Sequence, residues 1–128
     1  MKLLLIDDEL RFSAILKRRF EQRGISVLTA ADAVSGISLL SQQQIDVIIL
    51  DVKMPGMDGL SALSYIKANF PLSEVIMLTG HCDPGDAMCG MESGAFDYMM
   101  KPADFDELLL KVKDAYDHVL LNLSAPTQ

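Results

Sequence analysis

Residues 47–51, VIILD, form the most informative short run in the chain. The four apolar residues show no alternation with polar ones, which fits a strand buried on both faces, because a half-exposed strand alternates apolar and polar side chains. A carboxylate, Asp51, follows where this strand would end. The run therefore predicts a central strand of a sheet that is covered on both sides.

Outward from this run, strand-like and helix-like segments alternate along the chain. We predict strands at residues 3–6, 26–29, 47–50, 75–78 and 96–99. Apolar spacing and capping residues predict helices at 10–23 and 33–42, around 60–66, from Asp83, and from Asp104 onward. Parallel strands need crossovers, which are usually helices, so the alternation predicts an α/β fold: a doubly wound, five-stranded parallel sheet with helices on both faces. Residues 1–121 would form one domain and 122–128 a tail or the start of a linker.

Length and composition exclude several classes of protein. The chain has 128 residues, half of them apolar, which is room for about one globular domain. Its apolar runs are far shorter than the roughly 20 residues that cross a bilayer, and three acidic residues, at 7–9, interrupt the start where a signal peptide would stay apolar. Two cysteines fit a reducing compartment, so we predict a cytoplasmic location. The net charge of −7 argues against direct binding of nucleic acid or membranes by this segment.

Polar residues follow four of the five predicted strands. Asp7 and Asp8 follow the first strand, Asp51 the third, Thr79 the fourth and Lys101 the fifth. The ligand crevice of an open parallel sheet lies beyond the carboxyl ends of its strands. We therefore expect these side chains to meet in one pocket.

The chemistry of this pocket points to a divalent cation and an anionic substrate. Three clustered carboxylates repel one another unless a positive charge joins them, and all-oxygen ligands favour Mg²⁺. With Lys101 alone the pocket carries a formal charge of −2, and a divalent ion brings it to zero. An incoming phosphoryl group could then be attacked by an aspartate, with Thr79 donating a hydrogen bond to one of its oxygens.

Four motifs at these strand ends resemble the receiver domains of two-component response regulators. They are IDDE at 6–9, LDVKMPGMDG at 50–59, LTGH at 78–81 and ESGAFDYMMKP at 92–102. The resemblance covers residues 2–121 and implies a flavodoxin-like fold, similar to the chemotaxis regulator, with strand order 2-1-3-4-5. The TGH and PGMDG runs resemble receivers of transcriptional regulators, which implies that the segment could come from a longer regulator with a fused or separate output domain.

The resemblance also implies roles for the acidic residues. Asp51 would be the phosphoacceptor, taking a phosphoryl group from a sensor histidine kinase. Asp8 and Asp51 would bind Mg²⁺ directly, together with the main-chain carbonyl of Lys53, and Asp7 would act mainly through metal-bound water. The domain would be a phosphorylation switch rather than an enzyme, with only autophosphorylation and autodephosphorylation chemistry.

The remaining implied roles concern the switch itself. Lys101 would pair with the phosphoryl group, and the peptide bond between Lys101 and Pro102 would be cis. Thr79 would be the switch hydroxyl and Tyr98 the aromatic switch residue. The surface of the fourth helix, fifth strand and fifth helix would change on phosphorylation and could support a homodimer.

Other interpretations of the same residues stay open. Asp7 and Asp8 could simply cap the first helix, and Tyr98 could be a packing residue. A Mg²⁺-dependent phosphohydrolase with an aspartyl-phosphate intermediate would use a similar pocket, although such enzymes typically place a second acid two positions after the nucleophile, where this chain has Lys53. A third interpretation is a receiver-like interaction module that works without phosphorylation.

Overall fold

The computed structural model describes residues 1–52, 58–80 and 84–124, apart from the side chains of Thr79, Pro84, Asp86 and Ser124. Within these ranges strands and helices alternate along the chain. In order they are β1 (Lys2–Ile6), α1 (Leu10–Gln22), β2 (Ser26–Ala30), α2 (Ala33–Gln42), β3 (Val47–Leu50), α3 (Gly59–Asn69), β4 (Glu74–Thr79), α4 (Pro84–Glu92), β5 (Asp97–Met100) and α5 (Phe105–Ser124). The predicted strands are each confirmed to within one or two residues at their ends.

The five strands form one sheet in the order β2-β1-β3-β4-β5. Every neighbouring pair is parallel, so each connection between paired strands is a crossover. All four residues of β3 are buried, as expected for a strand with a helix layer on each side. The predicted fold class and strand order are therefore confirmed.

Successive side chains of each strand point to opposite faces of the sheet, which divides the core into two halves. On one face Ile48 packs with Leu63 of α3 and with residues of α2. On the other face Ile49 packs with Leu108 of α5 and Phe20 of α1. This two-sided packing fixes the sheet, and with it the positions where the strands end.

The C-terminal helix continues past the predicted domain boundary at residue 121. α5 ends at Ser124, three residues into the segment 122–128 that is predicted to be a tail or the start of a linker. Leu121 and Leu123 in the last turn are exposed, so the sequence there shows no apolar spacing that would predict a helix packed on the core. Leucine is nonetheless a strong helix former, so the helix can continue here although this turn is not buried. Among the described residues no helix is both long and apolar enough to span a bilayer.

Candidate functional site

The ends of β1 and β3 place two aspartates side by side. Ile6 and Leu50 are register partners in the parallel pair, and Asp7 and Asp51 follow them. The Asp51 N–H donates to the Ile6 carbonyl at 2.9 Å, and the Asp7 N–H donates to the Ala30 carbonyl at 3.0 Å. The sheet hydrogen bonds thus continue one residue past each strand and hold the main chain of both aspartates in place.

The three predicted carboxylates converge. Asp7, Asp8 and Asp51 each offer a carboxylate oxygen, and these oxygens lie within 4.8 Å of one another. Asp7 and Asp51 are 8% and 5% exposed, whereas Asp8 is open to solvent. Three acidic groups this close, two of them buried, repel one another unless a cation joins them. Their all-oxygen donor set and the open side at Asp8 fit a hard divalent cation such as Mg²⁺.

Lys101 reaches into the same cluster from the end of β5. Its Nζ lies 2.6 Å from Asp7 Oδ2, 3.0 Å from Glu9 Oε1 and 3.8 Å from Asp51 Oδ2. Burial alone would lower the pKa of Lys101, but hydrogen bonds to Asp7 and Glu9 and the charges of Asp7 and Asp51 outweigh it and raise the pKa above its ordinary value. The ammonium therefore stays charged at neutral pH.

The peptide bond that follows Lys101 is cis, at Pro102. The lysine side chain is only 11% exposed, although it is long and charged. It therefore lies within the carboxylate cluster and not on the surface.

Two residues near Lys101 were assigned no role by the sequence analysis. Glu9 binds the ammonium directly, and the Lys101 Nζ lies 4.4 Å from the centre of the Phe12 ring, a distance typical of a cation–π contact. Glu9 could have been suspected, because it extends the acidic pair by one residue. Phe12 could not, since its helical spacing fits core packing equally well.

Gly59 begins α3 directly against the main chain that carries Asp51. A Cβ atom at this position would lie 2.6 Å from the Asp51 carbonyl oxygen and 2.8 Å from that of Val52, and would also touch the Val52 Cα. The Gly59 N–H donates to the Val52 carbonyl at 2.9 Å. Only a residue without a side chain allows the helix to approach the strand end this closely.

Gly59→Ala is accordingly expected to lower the free energy of unfolding by about 1–3 kcal/mol, the usual cost of forcing atoms into a packed site. Urea denaturation of both proteins measures the difference. Gly80→Ala is the matched control, because the nearest atom to its new Cβ would be the Lys101 Cβ at 4.0 Å. Equal losses for the two variants would contradict the steric explanation.

The other predicted site residues are described only in part. Lys53, the expected carbonyl ligand, lies outside the described residues. Thr79 ends β4 opposite Met100 of β5, at the same edge of the sheet as the aspartates, but its side chain is outside the description. Tyr98 is half-buried and packs against the core half that contains α3. Its role as a switch residue therefore stays a prediction.

Comparison with known proteins gives a consistent picture. Residues 3–113 match the family model described as response regulator receiver domain. The chain is 35% identical over 113 residues to the DNA-binding transcriptional regulator NtrC of Escherichia coli (strain K12), covering 88% of this chain and 24% of that protein. It is 34% identical over 115 residues to the transcriptional regulatory protein GlrR of the same organism, covering 90% and 26%. The chain thus spans about a quarter of the length of these curated relatives.

Solved structures agree with the sequence matches. A response regulator receiver domain protein from Clostridium thermocellum has a TM-score of 0.89 at 36% identity, covering 94% of this chain and 98% of that one. The beryllofluoride-activated NtrC4 receiver domain dimer has a TM-score of 0.87 at 31% identity, covering 92% and 98%. The likeness therefore extends over nearly the whole described fold.

Proposed function

The chain belongs to the response regulator receiver domain family, and from this premise we propose that Asp51 is its phosphoacceptor. Receiver domains are signalling switches that take part in two-component systems. The single observation that supports the residue assignment best is the convergence of three carboxylates and one buried ammonium at the carboxyl edge of the sheet. A capping role for Asp7 and Asp8 would not explain why Lys101 and Asp51 lie beside them.

The proposed reaction is a transfer from a phosphohistidine of a sensor histidine kinase. A carboxylate oxygen of Asp51 attacks phosphorus, the P–N bond breaks as the new P–O bond forms, and the imidazole nitrogen keeps the bonding electron pair. Autodephosphorylation is hydrolysis: water attacks phosphorus, the P–O bond to Asp51 breaks, the Asp51 carboxylate keeps the bonding electron pair, and inorganic phosphate leaves as a water proton passes to solvent. Lys101, held 3.8 Å from Asp51, is placed to pair with a phosphoryl oxygen.

Mg²⁺ is the proposed cofactor, and when bound it neutralises charge that the transferred group brings to the site. Asp8 and Asp51 would bind it directly, with the carbonyl of Lys53, and Asp7 would act mainly through water. Without the ion, three carboxylates and Lys101 leave a formal charge of −2, which opposes the approach of an anionic donor. Labelling of Asp51 should therefore depend on the cation.

The proposed output is a change of the surface formed by α4, β5 and α5. Thr79 would act as the switch hydroxyl and Tyr98 as the aromatic residue that follows it. These three elements carry exposed large apolar side chains that suit a second copy of the chain or an output domain; among them are Met88, Met91, Met100 and Leu110. A similar receiver is known as an activated dimer.

Control of transcription is the proposed downstream role, because the curated relatives are named as transcriptional regulators. The net charge of −7 disfavours direct contact between this segment and DNA. A fused or separate output domain would therefore bind the nucleic acid.

The test is labelling of the wild-type chain with acetyl phosphate, with and without Mg²⁺, followed by intact mass and peptide mapping. We expect one phosphoryl group per chain, on the peptide containing Asp51, formed with Mg²⁺ and lost when a chelator removes the ion. A Mg²⁺-independent adduct, or a label on another peptide, would contradict the proposal. Sustained hydrolysis of a phosphate ester would instead support the phosphohydrolase alternative.

A further inference from the structure

We propose that Glu9 slows phosphorylation by anionic donors, because it adds an exposed negative charge beside Lys101 and the proposed metal site. The inference rests on the proposed function of Asp51. Glu9 Oε1 lies 3.0 Å from the Lys101 Nζ, and the Glu9 side chain is 63% exposed. Glu9 is therefore both a partner of the lysine and a charge that an approaching donor meets.

Glu9 contributes little to holding Lys101 in place. The ammonium is held more closely by Asp7, at 2.6 Å, where both side chains are about nine-tenths buried. The Phe12 ring supports it from another side. An exposed ion pair such as the one with Glu9 is weak by comparison, since water and salt screen it. Removal of the Glu9 charge should leave the lysine where it is.

The same charge has a larger effect on the incoming group. Among the described residues Lys101 has three carboxylate neighbours, and two of them, Asp7 and Asp51, belong to the proposed metal site. Glu9 lies outside the metal-site cluster, so its charge is an excess that the cation does not directly neutralise. A phosphoryl donor must approach this excess charge to reach Asp51.

Glu9→Gln keeps the size and polarity of the side chain and removes the charge. The donor is acetyl phosphate, a dianion. At low ionic strength we expect Glu9→Gln to raise the second-order rate constant for phosphorylation about fivefold. That is roughly the effect of one unit charge on a dianion several ångströms away in a largely aqueous setting.

Three controls separate this effect from a structural one. Glu9→Asp keeps the charge and should stay close to wild type. Asp114→Asn changes the net charge by the same amount. Asp114 is exposed and lies about 14 Å along α5 from the first residue of that helix, so the phosphorylation rate should not change. Phosphoramidate, which carries less negative charge than acetyl phosphate, should show a smaller gain with Glu9→Gln.

Calorimetry first gives the Mg²⁺ concentration that saturates each variant. Phosphorylation rates are then measured by intact mass at saturating Mg²⁺, at low and at high salt. The gain from Glu9→Gln should shrink at high salt, because screening removes the charge effect and leaves packing unchanged. An unchanged or slower rate for Glu9→Gln at low salt, or a gain that salt does not reduce, would overturn the inference while Asp51 labelling of wild type stands. Absence of any wild-type label would overturn the proposed function as well.

Discussion

Asp51→Asn is expected to abolish the Mg²⁺-dependent phosphoryl adduct. Asparagine has nearly the same size, so the packing at the end of β3 is retained, but its amide oxygen lacks the negative charge that makes the carboxylate a nucleophile. The substitution also replaces one of the three carboxylates that converge on the proposed cation site with a neutral amide. Intact mass after incubation with acetyl phosphate and Mg²⁺ should show unmodified protein under conditions that label wild type completely.

Unfolding measurements separate lost chemistry from lost structure. Without Mg²⁺, Asp51→Asn should not lower the free energy of unfolding, because it removes one of three mutually repelling carboxylates while Lys101 keeps Asp7 and Glu9 as partners. Asp114→Asn is the matched control for labelling, since it makes the same change on an exposed turn of α5. An Asp51→Asn protein that is still labelled would remove Asp51 from its proposed role.

The fold could be predicted because its signals are local and mutually consistent. The unbroken apolar run of β3 and the regular alternation of strands and helices each indicate a covered parallel sheet, and the register then follows from packing on two faces. The polar residues of the site could be predicted from the same alternation. In a parallel sheet Asp7 and Asp51 must lie at one edge if they each follow a strand.

The contacts around Lys101 could not be predicted in the same way. Which acid a lysine binds depends on side-chain directions and distances of a few ångströms, and the sequence separates Lys101 from Glu9 by 92 positions. Hydrophobic periodicity places Phe12 toward the protein interior without saying that an ammonium lies over its ring. Such pairs depend on the assembled fold and not on any local pattern.

The contacts of Glu74, at the opposite end of the strands, could not be predicted from local patterns either. A glutamate at the start of an apolar strand gives no local sign that its carboxylate is buried. In the structure the Glu74 carboxylate is 7% exposed, with Lys67 Nζ 2.7 Å from Oε1 and His118 Nδ1 2.5 Å from Oε2. The carboxylate thus joins α3 and α5 across the start of β4, while half of the His118 side chain remains exposed.

Glu74→Ala is expected to lower the free energy of unfolding by about 3–5 kcal/mol, the range observed when one partner of a buried ion pair is removed. The reason is that Lys67, only 19% exposed, would lose its counter-ion; its remaining acceptors among the described residues are neutral carbonyls, such as that of Ser73 at 3.0 Å. Urea denaturation at neutral pH measures the loss. Asp51 labelling of the folded variant should be unchanged, because the cluster lies at the other end of β4.

We attribute the expected loss of stability in Glu74→Ala to the burial of the pair and not to the ion pair as such. A second ion pair in the chain, which is more exposed, tests this explanation. Lys111 Nζ lies 2.6 Å from Asp97 Oδ2, but these side chains are 26% and 34% exposed. Lys111→Met should therefore lower the free energy of unfolding by less than about 1 kcal/mol.

The double substitution Lys67→Met with Glu74→Leu should recover most of the loss caused by Glu74→Ala, because an apolar pair of similar volume needs no counter-ion. Similar costs at the two pairs, or no recovery in the double variant, would show that the unpaired buried charge is not what destabilises the protein.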